Sequence, residues 1–258
     1  MLKELNGSDW LKLLDIPPKM VPSALILRGT RNLSRHYMRY AAHFSEIFEV
    51  GSPTGFLEDV FIGRFKGHLI GYASVYGGSM ASEIVHIFGE MGTKAVIQTG
   101  CCGALNRNLR LGDKIYAESA YSGEGVAQYY SDKVEFRENI IGVNSTEIFQ
   151  DSIYSARVFT TAALMAEGRE EVAEWHSRGF DAVDMETAAV FAVAETFNMR
   201  KGSLLFVSDL PYTDQGLLHV SEADGLLETA DDEIVMLSLQ IVERMLEISR
   251  EETHLRSI

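Results

Sequence analysis

The sequence predicts a single α/β domain built on a mixed, mostly parallel, twisted central sheet flanked by helices, and three observations predict it. Short apolar runs (SALILRG, FIGRFKGHLIGYASV, KAVIQTGC, KIYAESAY, ARVFTTAA, AVDMETA and GSLLFVSD) alternate with stretches that are apolar at three- and four-residue spacing. Such alternation is the pattern of strands joined through covering helices. No internal repeat, low-complexity stretch or Pro/Ser-rich linker interrupts it. Finally, 258 residues at 46% hydrophobic content are enough for one large domain to bury most of its apolar surface.

In chain order, residues 1–23 are expected to form an extension carrying a short amphipathic helix around WLKLL, ended by Pro17-Pro18. That helix would cover the sheet edge or a neighbouring subunit. Residues 24–258 form the domain proper, with helices expected at about 31–45, 79–92, 168–178, 186–197 and 231–252. The last of these is amphipathic, and its charged end is expected to face solvent.

Charge excludes several classes of partner. With 23 basic and 37 acidic side chains, the formal net charge is -14, a field that repels nucleic acid and anionic lipid alike. No apolar run reaches the roughly 18 residues of a membrane span, and MLKELNGSDWLKLL lacks the basic start and apolar core of a signal peptide. The expectation is a cytoplasmic chain. The only cysteines, Cys101 and Cys102, are adjacent, where an ordinary disulfide would be strained and no four-ligand metal set exists. They read as reduced small residues near a turn. There is neither a P-loop nor a G-x-G-x-x-G after a strand, so no metal, flavin or nucleotide cofactor is implied.

In such sheets ligands gather at the carboxyl ends of strands. Four ends carry glycine or polar chemistry: Gly29-Thr30-Arg31-Asn32, Tyr76-Gly77-Gly78-Ser79, Gly100-Cys101-Cys102-Gly103 and Ser208-Asp209. Glycines there let backbone N–H groups approach a ligand, or simply make tight turns, and a helix starting at Ser79 would offer its dipole to an anion. Asp184 and Glu186 flank Met185 where AVDM meets a helical run. Glu186 at a helix start either satisfies orphan N–H groups or accepts two vicinal hydroxyls. Asp209, before Leu210-Pro211, is equally readable as a turn residue.

Taken together, AVDMETAAVFAVAE, LLFVSD about 20 residues on, AVIQTGCCGAL, LGDKIYAESAY, SGEGVAQYY and VFTTAA resemble the nucleoside phosphorylase superfamily, from about Ala24 to Glu243. That superfamily includes uridine phosphorylases, hexameric purine nucleoside phosphorylases and related nucleosidases. The resemblance implies that Glu186 binds the ribose hydroxyls and Met185 packs on the sugar. It implies that Asp209, beside Ser208, meets N7 of a purine as the catalytic acid. Gly103 is expected to line the substrate site and Phe159 to stack on the base, although an aromatic in a strand is often plain core. It further implies a homo-oligomer whose sites lie at subunit contacts.

The phosphate cradle departs from the family pattern. The arginine expected in the first glycine loop is Leu33, the one before the Gly100 turn is Gln98, and a third, lent by a neighbouring subunit, aligns near Phe56. None of these replaces an arginine fork on phosphate. Gly29, Arg31 and Cys101 are the candidates for a displaced phosphate site. The expected reaction is phosphorolysis of a purine nucleoside to free base and ribose 1-phosphate, with phosphate as co-substrate. Hydrolysis is the alternative, although no acidic residue lies between Gly29 and Arg39 to activate water. A non-catalytic nucleoside binder is the third reading.

Overall fold

Strand β1 (Ala24–Gly29) is buried along its whole length because helices cover both of its faces. Leu25 and Leu27 enter one apolar layer, while Ala24 and Ile26 enter the other. The computed structural model that shows this describes residues 1–51, 55–138, 153–213 and 224–255; parts of the 24–258 stretch expected to form one domain fall outside the described residues.

Around β1 the sheet grows in both directions. β2 (Ser45–Glu49), β3 (Val60–Phe65) and β4 (His68–Val75) lead in from one edge, and β5 (Ala95–Ala104) lies on the other side of β1. Beyond β5 come β6 (Lys114–Ser122), β7 (Glu135–Arg137), β8 (Ile153–Thr160), β9 (Ala182–Asp184) and β10 (Arg200–Asp209). Parallel pairing joins β4, β1, β5 and β10, whose carboxyl ends therefore point the same way. β5 pairs with both β10 and β9, while β10 pairs with β6, β6 with β8 and β8 with β9. This half of the sheet thus closes on itself as a small ring.

The sequence pattern is met with local differences: the tail helix begins at Asp224, before the expected 231, and Cys101 and Cys102, expected near a turn, lie within β5. FIGRFKGHLIGYASV is an antiparallel hairpin, not one strand, turned at Lys66-Gly67 with φ of 47° and 82°. The helix expected at 31–45 stops early: α2 spans Leu33–Ala41, and the edge strand β2 follows.

α1 (Gly7–Leu13) and α3 (Gly77–Met91) lie on one face, and buried Trp10 anchors α1 there. α4 (Arg169–Ser177) carries Trp175 into a cluster with Phe159 and Phe180. α5 (Thr187–Thr196) is buried on every side from Thr187 to Ala194, which is why its sequence is apolar all round. α6 (Asp224–Leu255) covers the opposite face through Ile234, Leu239, Val242 and Met245. Among the described residues, no helix is long and apolar enough to cross a membrane.

Candidate active site

The convergent carboxyl ends of β1, β4, β5, β9 and β10 surround one open cleft. Among its lining residues are Gly29, Arg31, Cys101, Gly103, Met185, Glu186, Ser208 and Asp209. Every candidate residue from the sequence except Phe159 is therefore brought to one place.

Glu186 is presented by the junction of β9 with α5. Its side chain makes no cap hydrogen bond to α5. Asp184 does the capping instead: it accepts from the Glu186 and Thr187 backbone N–H groups at 3.2 and 2.8 Å, and from the Thr160 and Thr187 hydroxyls. With the helix start satisfied by its neighbour, the Glu186 carboxylate is released into the cleft. There its Oε1 accepts from the Gly77 backbone N–H at 2.7 Å. The N-terminus of α3, expected to attract an external anion, is thus occupied by a side chain of the protein itself.

Burial pushes the Glu186 carboxyl well above the usual range, the charge of Asp184 adds to this, and the Gly77 N–H and Arg28 oppose it. Glycine at position 29 leaves room for this carboxylate, since a Cβ there would stand 2.7 Å from Glu186 Oε2 and displace it.

Asp209 ends β10. Ser208 Oγ donates to its Oδ1 at 2.8 Å, while Oδ2 lies on the side of Gly103, whose Cβ would approach it to 3.2 Å. Burial raises the Asp209 carboxyl and the Ser208 bond only partly offsets it. Asp209 therefore keeps its proton to a higher pH than a free aspartate would.

Phe159 requires a correction. It is 7% exposed, stacks on Trp175 at 4.5 Å and Tyr121 at 5.6 Å, and does not line the cleft. The reason is strand parity: along β8, Phe159 turns toward α4, while the next residue, Thr160, turns inward to Asp184. The apolar wall of the cleft is supplied by Leu164, Val183 and Met185 instead.

At the anion end, Gln98 is buried and turned away, its Oε1 accepting from the Ser203 and Thr187 hydroxyls. Phe56 lies outside the cleft against Trp10, and Leu33 begins α2 without lining the cleft. Arg31 does line it, with its guanidinium 5.1 Å from the Tyr76 ring centroid. Behind the loop, Arg28 is 2% exposed and donates to Asp231 at 2.5 Å. Asp231 also accepts from Arg39 and meets His36; against the upward push of burial, the His36 hydrogen bond and the Arg28 and Arg39 charges hold it down to about 2. Among the described residues, Arg28 Nε and Nη1 have no hydrogen-bond partner. Cys101 opens onto the cleft but is otherwise enclosed, and burial raises its thiol, so the site supplies no ready thiolate.

The family model described as the phosphorylase superfamily matches residues 41–247. The chain belongs to the phosphorylase superfamily. A guanosine phosphorylase from Halorubrum lacusprofundi is 26% identical over 181 residues, covering 67% of this chain and 70% of that protein. A DeoD-type purine nucleoside phosphorylase from Alkaliphilus metalliredigens is 29% identical over 163 residues, covering 58% and 67% respectively. In fold, the chain is similar to uridine phosphorylase from Vibrio fischeri ES114, with a TM-score of 0.75 at 19% identity over 89% of this chain and 95% of that one.

Membership places the chain among nucleoside phosphorylases and nucleosidases. Against that background, one cleft residue stands out that the sequence did not reveal. Glu167 sits in the loop between β8 and α4 and is pushed up to about 7 by burial and by the charge of Asp209. The signal that would have found it is its place after the carboxyl end of a strand.

Proposed function

We propose that this superfamily member cleaves the N-glycosidic bond of a purine nucleoside by phosphorolysis, giving free base and ribose 1-phosphate. The observation that carries the proposal is the presence of Glu186 and Asp209 in one cleft, each beside a glycine, with Glu186 spared the capping of α5 by Asp184 and Asp209 held by the Ser208 hydroxyl.

In this reading the C–N bond loosens to an oxocarbenium-like sugar while negative charge builds on the base. Asp209 shares its proton with N7 and neutralises the leaving purine, as a positioned general acid does. Glu186, fixed by the Gly77 N–H, accepts from the ribose hydroxyls and holds the sugar against Met185. Gly103 and Ser208 shape the base end. At the other end, Arg31 with the Gly29 and Cys101 backbone receives phosphate, the co-substrate, in place of the usual arginine fork. No other cofactor enters the scheme. The superfamily likeness also supports a homo-oligomer in the cytoplasm, with the cleft mouth near a subunit contact.

Hydrolysis is the second reading, favoured by the poverty of the anion end: Arg31 is the one arginine that lines the cleft among the described residues. Incubating the protein with purine nucleosides, with and without inorganic phosphate, and separating ribose 1-phosphate from ribose distinguishes the two. Phosphorolysis requires phosphate-dependent base release and ribose 1-phosphate. Phosphate-independent release of free ribose would replace it with hydrolysis, and release of no base at all would leave a non-catalytic binder.

A further inference from the structure

Glu167 lines the cleft together with Asp209, at the end of the short turn Leu164–Ala166 that follows β8. The adjacent helix start is served by another residue: Glu171 accepts from the Gly168 N–H at 3.0 Å. The Glu167 side chain has no hydrogen bond or ion pair among the described residues. A half-buried carboxylate near a second acid is costly unless a ligand supplies donors to it.

We propose that Glu167 is a specificity-determining residue that reads the six-membered edge of the base and selects 2-amino-6-oxopurine nucleosides over 6-aminopurine ones. The inference rests on the purine nucleoside reading above. Glu167, pushed up to about 7, ionises on the alkaline side of neutrality, and there it only accepts, through two oxygens side by side. Guanine offers two neighbouring donors, N1–H and the 2-amino group, and so satisfies both oxygens in a bidentate, charge-assisted pair. Hypoxanthine offers N1–H alone. Adenine turns the N1 lone pair toward the carboxylate, acceptor against acceptor, and leaves a desolvated charge unpaired. With Asp209 assigned to N7, the opposite edge of the same ring system is the one left for Glu167. The ranking that follows is guanosine, then inosine, then adenosine.

The test is kcat/KM for the three nucleosides on the alkaline side of neutrality, where Glu167 is ionised, with the full chain and with Glu167→Gln. The unaltered protein is expected to prefer guanosine to adenosine by at least about ten-fold, the scale of one good bidentate base contact. Glu167→Gln is expected to shrink that ratio by about 10–100-fold, chiefly through a higher KM for guanosine. Because the ranking in the unaltered protein needs no variant, poor folding of the variant does not protect the proposal. Equal or better use of adenosine by the unaltered protein, or an unchanged ratio in Glu167→Gln, overturns it while leaving the purine nucleoside reading intact. Release of no base from any of the three overturns both.

Discussion

The two ends of the cleft are built on different principles. At the nucleoside end, Glu186 faces the cleft because Asp184 takes over the capping of the helix start, and Asp209 is held there by the Ser208 hydroxyl. At the anion end, positions 33 and 98 hold leucine and glutamine, and the buried cation of the region, Arg28, is committed to Asp231 behind the loop. The difference teaches that, on the proposed function, the groups aimed at the nucleoside are separable from those that would hold the attacking anion. On that reading the first set is present in the cleft and Arg31 is left to serve the second.

The largest expected effect breaks the nucleoside end. Asp209→Asn keeps the shape and the Ser208 contact but removes the proton, and turnover should fall by about 10²–10⁴-fold with KM little changed. Steady-state kinetics on a purine nucleoside check this, and an unchanged kcat removes Asp209 from the mechanism. The raised carboxyl of Asp209 fixes the sign of its pH dependence: the acid is protonated below its folded pKa, so kcat should decline as pH rises through that value. The residual rate of Asp209→Asn should lack this descending limb.

At the anion end the larger effect is on stability. Asp231→Asn leaves Arg28 buried without a counter-charge, a change that typically costs about 3–5 kcal/mol. Chemical denaturation is the measurement, and a loss below about 1 kcal/mol would show that the network is not holding the loop. Because Asp231 is held down to about 2, its contribution is fully present above the ordinary aspartate range. It should disappear only as pH falls through about 2.

A smaller effect separates the two ends directly. Arg31→Ala should raise the KM for phosphate by about 10–100-fold, the worth of charged hydrogen bonds, while leaving the apparent affinity for nucleoside within a factor of about three. Equal effects on both substrates would mean that the ends are not separable.

What the sequence disclosed follows the same division. Glu186 and Asp209 were legible because each ends a contiguous segment, AVDMETAAV and LLFVSD, whose local pattern survives in the fold. Phe159 was misplaced because resemblance does not fix which face of β8 a side chain takes, and a one-residue shift reverses it. Glu167 was passed over because an acidic residue before a helix is ordinary, and only its place after the carboxyl end of β8 sets it apart. The Arg28–Asp231 pair joins residues 203 apart in sequence, a relation that no periodicity encodes. The early end of α2 escaped notice because β2 is an exposed edge strand with little apolar pattern, and the hairpin within FIGRFKGHLIGYASV was read as one run because only two residues, Lys66-Gly67, make its turn.

The smallest effect concerns a tension within the nucleoside end. Glu186 is buried beside Asp184, and desolvation dominates the rise of its carboxyl. A carboxyl raised on folding costs nothing where both folded and unfolded forms are protonated, below the ordinary glutamate range, and weakens the fold as pH climbs through its folded pKa. Glu186→Gln fixes the neutral state permanently while keeping an oxygen for the Gly77 N–H. It should therefore abolish sugar-dependent turnover yet stabilise the empty protein by about 1 kcal/mol at alkaline pH, with the gain fading toward acid. Thermal melts of both proteins across that range measure it. A variant less stable at every pH would mean that the ionised carboxylate contributes to the fold as well as to the sugar, and the separation between structural Asp184 and ligand-facing Glu186 would then have to be redrawn.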